Sequence, residues 1–208
     1  MNYMTFEPGI WEIAVLALLR EAPMHPYQMQ RLLKERHKDE ILALKRGSLY
    51  HAIGRLERAG YIEVENTGRK GRRPERTTYR LTLQGKEALL ETLRKIITTP
   101  RQESSEFMAA MSFLVHLSPA EALEWLAERC RQLQAAIDAR TAGLAAASRF
   151  VERINLVESE YLIAMRRAEL AWVRGLAEDI RAGKLAWDTE AVVKGAQQSR
   201  EAAAAEEE

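Results

Sequence analysis

The chain has 208 residues, enough for one large domain or two modest ones, and its 47% apolar content is enough for a core. A single cysteine, Cys130, excludes an internal disulfide, four scattered histidines give no zinc-ligand spacing, and the longest apolar run, Ile13 to Leu19, is too short to cross a bilayer. The formal charge of +1 conceals an asymmetry: residues 1–90 hold 16 Lys and Arg against 11 Asp and Glu, the remainder 15 against 19, so the first half suits a polyanion and the second does not.

Ile10, Ile13, Ala14, Leu16, Ala17, Leu18 and Leu19 are apolar nearly all round, which predicts a first helix covered on most sides. Pro23 and Pro26 punctuate the chain, and Tyr27, Met29, Leu32 and Leu33 then recur at helical spacing as a second helix. A third follows Lys45 and Arg46, with Leu49, Ile53 and Leu56 as its inward stripe and Gly60 as a left-handed cap, so that it ends near Ala59. After Gly60 the period becomes two: Ile62 and Val64 alternate with glutamates, and Tyr79 and Leu81 alternate with Thr78 and Arg80, which predicts a hairpin. Its connection, residues 66–76, carries Arg69, Lys70, Arg72, Arg73 and Arg76 against the one carboxylate of Glu75. Thr82 is placed to cap a fourth helix with Leu89, Leu93, Ile96 and Ile97 on one face, and Pro100 marks its exit.

The second half reads as helix throughout. Phe107, Met111 and Leu114 share a short segment, and Ser118-Pro119-Ala120-Glu121 starts a new helix, with serine to cap, proline in the first turn and glutamate to reach back. From there Leu123, Leu126, Cys130, Leu133, Ile137, Leu144, Ala147, Val151 and Ile154 form a heptad seam that only Arg140 interrupts. Val157, Tyr161, Met165, Ala168, Trp172, Leu176 and Ile180 continue in a different phase, so a break is expected between Ala145 and Asn155 and two long antiparallel helices result. These stripes exceed what one helical pair can hide, which points to a homodimer through Leu123, Leu126, Leu133, Ile137, Tyr161, Met165, Trp172 and Leu176. The four tryptophans, Trp11, Trp125, Trp172 and Trp187, read as core or interface in preference to ligand contacts.

Three helices followed by a hairpin with a basic tip is the order of a winged helix-turn-helix, whose third helix enters the major groove of DNA. Lys45 and Arg46 stand where that helix meets phosphate, and Tyr50 offers a hydroxyl to a phosphate. Ser48, His51 and Arg55 lie off the apolar stripe at spacings of three and four, suited to base edges. The wing cations Arg69, Lys70, Arg72 and Arg73 suit backbone or minor groove. The expected architecture is mainly α: a DNA-binding domain over 1–98, a helical dimerisation and effector region over 99–185 with long antiparallel helices, and an acidic tail over 186–208. The competing class, a protein-interaction adaptor, leaves the basic wing unexplained; an enzyme finds no Gly-rich phosphate loop, serine elbow or metal cluster.

Residues 46–62, Arg46-Gly47-Ser48-Leu49-Tyr50-His51-Ala52-Ile53-Gly54-Arg55-Leu56-Glu57-Arg58-Ala59-Gly60-Tyr61-Ile62, resemble the recognition-helix signature of the PadR family. The resemblance extends to His25-Pro26-Tyr27 and to Tyr79-Arg80-Leu81-Thr82-Leu83-Gln84-Gly85. The second half resembles the longer family members most closely at Ala168-Glu169-Leu170-Ala171-Trp172. It implies a cytoplasmic DNA-binding regulator, a repressor bound as a homodimer to an inverted-repeat operator on double-stranded DNA, with no cofactor and no membrane association. Phenolic acids or drug-like aromatics serve some members as effectors, which implies a small aromatic effector here.

Overall fold

The structure is a computed structural model that describes residues 6–36, 38, 46–68, 76–100, 105–192, 194, 195 and 198. The chain divides into two compact units, Met1–Gln102 and Glu103–Glu208. The first contains helices α1 (Ile10–Glu21), α2 (Pro26–Glu35) and α3 (Arg46–Arg58), strands β1 (Ile62–Gly68) and β2 (Arg76–Leu81), and helix α4 (Leu83–Thr98). The second contains α5 (Glu106–Ser112), α6 (Pro119–Ala147) and α7 (Val157–Arg181), with single 3-10 turns at Leu114–His116 and Arg153–Asn155.

The nearly all-apolar α1 is the axis of the first core. Val15, Leu16, Leu18 and Leu19 are buried against Met29 and Leu33 of α2, Leu49, Ala52, Ile53 and Leu56 of α3, and Leu89 of α4. Several helix ends are set by local chemistry. His25 caps α2 by accepting the Gln28 N–H at Nδ1 (3.1 Å), with Pro26 in the first turn, where its missing N–H costs nothing. Gly60 (φ 74) closes α3: the Tyr61 N–H reaches the Leu56 carbonyl and the Gly60 N–H that of Glu57, each at 3.0 Å. That is the paired hydrogen bonding of a left-handed cap, with Leu56 and Tyr61 both buried beside it.

The hairpin pairs antiparallel from Ile62↔Leu81 to Gly68↔Arg76, with a bulge between Val64 and Asn66 that leaves Glu65 as the extra residue. Among the described residues its base joins the core: Ile62 is buried and Tyr79 and Leu81 pack against the cluster, whereas Val64 is exposed. Met24 adds a third, one-residue strand. It exchanges two backbone hydrogen bonds of 3.1 Å with Tyr79, a pairing that lies between two prolines and that local sequence patterns do not reveal. Thr82 then caps α4 by accepting the Gly85 N–H at 3.0 Å. Gly85 admits no side chain, because a Cβ there would lie 2.0 Å from the Tyr61 carbonyl oxygen. Beyond Leu93 the expected apolar face of α4 is not covered within this unit, and Ile96 and Ile97 are exposed.

In the second unit the start of α6 carries both halves of a capping box, Ser118 accepting from the Glu121 amide and the Glu121 carboxylate accepting from the Ser118 amide at 2.9 Å. The chain breaks over Ser148–Leu156, one residue beyond the expected interval at its far end, so Val151 and Ile154 belong to the turn and not to a continued seam. Leu126 near the start of α6 meets Val173, Ala177 and Ile180 near the end of α7, and Ile137 meets Ile163 and Leu170. The two helices therefore run antiparallel. After α7, Trp187 donates from its indole to the Leu117 carbonyl (2.8 Å) and Thr189 does so at 3.0 Å, which ties down the first residues of the segment read as a tail.

Candidate DNA-binding surface

The inward stripe of α3, Leu49, Ile53 and Leu56, is buried, and this fixes where every other side chain on the helix lies. Tyr50 and Gly54 fall on one flank and border a concavity shared with the start of α2 and with β2. His51 and Arg58 face outward and are exposed. Ser48 and Arg55 fall on the opposite flank, toward α1, where Ser48 is half-buried.

Arg55 is engaged within the fold. Its Nε donates to Glu12 Oε1 at 2.7 Å and its Nη2 contacts the same carboxylate oxygen, while Glu12 is only 3% exposed on the apolar helix α1. A buried carboxylate needs such a partner, because leaving it unpaired costs far more than the pair itself contributes. The guanidinium still reaches the surface. The sequence offered one signal for this pairing, a lone acid inside an otherwise apolar helix, and the distance of 43 residues to its partner hid the rest.

Among the expected DNA contacts, Ser48, Tyr50, His51 and Arg55 thus lie on the described part of α3, with Tyr50 57% exposed. Arg46 opens the helix, but its side chain lies outside the described residues, as do Lys45, Arg69, Lys70, Arg72 and Arg73. Tyr27, Thr77 and Tyr79 line the same concavity as Tyr50 and were missed by sequence reasoning, since they converge from two other elements.

The eight residues expected at a dimer seam divide in two. Leu126 and Ile137 are buried within the chain, and Leu123, Leu133 and Leu176 pack partly against the same clusters, so these five hold α6 to α7. Tyr161, Met165 and Trp172 are 63%, 51% and 53% exposed. The buried face of α7 is instead Ile163, Leu170, Val173, Ala177 and Ile180. Steps of mostly four residues exceed the 3.6-residue turn, so the stripe from Val157 to Ile180 walks around the helix from its exposed to its buried side. Beside Trp172, the Phe107 ring meets it edge-on at 6.1 Å and is covered by the Arg129 guanidinium at 3.5 Å, while Arg129 donates to Glu169 at 2.6 Å.

A three-helix core that presents its third helix beside a β-hairpin is a winged helix-turn-helix, a DNA-binding class. Residues 15–91 match the sequence profile of the Transcriptional regulator PadR-like family. Among solved structures, the chain is similar to Bacillus subtilis PadR in complex with operator DNA (20% identity, TM-score 0.66) and to the same protein in complex with p-coumaric acid (18%, 0.67). It is also similar to a PadR-like transcriptional regulator from Bacillus cereus (17%, 0.56). Each alignment covers 83% of this chain and 99% of the other, so the likeness in fold extends through both halves. Comparison with curated proteins gives no match. Among the described residues no helix is long and apolar enough to cross a membrane.

Proposed function

We propose that the chain is a cytoplasmic, sequence-specific transcriptional repressor that binds an inverted-repeat operator as a homodimer. The observation that carries the proposal is α3 itself, held rigidly by three buried aliphatic residues while Tyr50 and His51 are displayed to solvent beside the hairpin. Lys45, Arg46, Tyr50 and the wing cations Arg69, Lys70, Arg72 and Arg73 take phosphates. Ser48 and His51 read bases, and Arg55 contributes through the edge of its guanidinium turned away from Glu12. Dimerisation uses the exposed Tyr161–Met165–Trp172 face of α7, with Leu123, Leu126, Leu133, Ile137 and Leu176 supporting it from within the helical pair. A two-fold dimer places two copies of α3 in successive major grooves, about one helical turn apart.

Bacillus subtilis PadR has been crystallised with p-coumaric acid, and by analogy a small aromatic effector of this chain would act on the helical unit. Coupling of about 1 to 3 kcal/mol between effector and operator is typical of such regulators. Genome-wide recovery of bound DNA fragments tests the proposal. Fragments that share an inverted repeat with half-sites about one turn apart are expected; fragments with no common two-fold element would overturn it.

A further inference from the structure

The structure assigns to the reading head a seat for the DNA sugar–phosphate strand built from uncharged hydroxyl donors, in the concavity between α2, α3 and β2. This assignment rests on the DNA-binding reading above and specifies how one strand is held. The concavity measures about 350 Å³ and is rimmed by the hydroxyl-bearing side chains of Tyr27, Tyr50, Thr77 and Tyr79, with Ile53 and Gly54 also lining it. Among the described residues none that lines it is Lys, Arg, Asp or Glu; His25, which also lines it, turns its Nδ1 to the Gln28 amide as the cap of α2. Burial, and secondarily the charge of Glu57, holds the Tyr79 phenol above the ordinary tyrosine range, so it remains protonated and able to donate.

Three observations point to a strand of DNA. Gly54 follows Tyr50 by four residues and His51 by three, so the concavity opens on the flank of α3 that adjoins its outward face. A Cβ at Gly54 would meet nothing within 4 Å, which leaves that mouth open to a close backbone. The surface is amphipathic in the way a nucleotide backbone is: hydroxyls suit phosphate oxygens, while ring faces and the Ile53 side chain suit deoxyribose carbons. The Gln28 amide at the start of α2 is occupied by its own cap, the His25 side chain.

A neutral donor holds a phosphate without releasing a counterion, which separates this seat from the wing. On a short mixed-sequence duplex, Tyr27→Phe and Tyr50→Phe are each expected to weaken binding about 3- to 10-fold at every salt concentration, with the log–log salt slope unchanged. Both rings are exposed, so neither change disturbs the core. Gly54→Leu fills the opening; it should abolish binding while the thermal unfolding midpoint stays at or above that of the parent, since leucine is the better helix former. Parental affinity in both phenylalanine variants, a shallower slope in either, or parental affinity in Gly54→Leu overturns the seat while DNA binding by the chain stands. A parent that binds no duplex even at low salt overturns the DNA-binding reading, and the seat with it.

Discussion

Glu12 and Arg55 illustrate how one residue can answer to fold and surface together. Removing the arginine leaves a carboxylate buried on α1 without its charged donor, whereas His51 one turn away is exposed. Arg55→Ala is therefore expected to lower unfolding stability by about 2 kcal/mol, and His51→Ala to stay within about 0.5 kcal/mol of the parent. Denaturant unfolding of both variants, with Glu12→Ala and the double variant, measures the pair. Additive losses would mean that the two residues act separately. The same result bears on DNA binding, because affinity lost in Arg55→Ala mixes a lost contact with a loosened α3, while loss in His51→Ala reports the contact alone.

At the scale of elements, local chemistry sets helix ends. The hydrogen bonds from Ser118 hold the Glu121 carboxyl below its ordinary value of 4.5. A depressed folded value means that the stabilisation is present above the unfolded value and is lost as pH falls through the folded one, below about 4.5. Ser118→Ala should cost about 1 kcal/mol at neutral pH. It should also flatten the decline in unfolding midpoint across the acid range, which a pH series of thermal melts would register. A parental acid profile in the variant would exclude the box as its source. The wing offers a contrasting electrostatic test. If Arg72 and Arg73 each neutralise a phosphate, replacing both with alanine makes the log–log salt slope shallower by roughly 1.8, while discrimination between operator and scrambled duplex is kept. Loss of discrimination with an unchanged slope would give base reading to the wing and refute this division of labour.

The whole molecule turns on what covers the second face of α7. One face is buried against α6, and Tyr161, Met165 and Trp172 occupy another that the helical pair leaves open. A second copy of the chain is the proposed cover. Sedimentation at low micromolar concentration should give a dimer, and Tyr161→Glu with Met165→Glu should shift it toward monomer, by at least about 30-fold in dissociation constant if either side chain is an interface hot spot. The operator affinity should fall in parallel while helical content is retained. A parent that sediments as a monomer yet binds operator tightly would dismiss the two-fold architecture.

The amino-acid sequence alone determined the element order, the caps at Gly60, Thr82 and Ser118, the interval of the break between α6 and α7, and the winged helix-turn-helix character of the first half. These depend on turn chemistry and periodicity, which act over a few residues. Only the tertiary structure decided that Arg55 is held by Glu12, that Met24 pairs with Tyr79, that Tyr27 and Thr77 join Tyr50 around one concavity, and that five of eight expected interface residues serve the chain's own core. Apolar periodicity shows that a helix has a face to bury. Which partner covers it depends on the docking of elements far apart in the chain, and a stripe that drifts around α7 belongs to two partners at once.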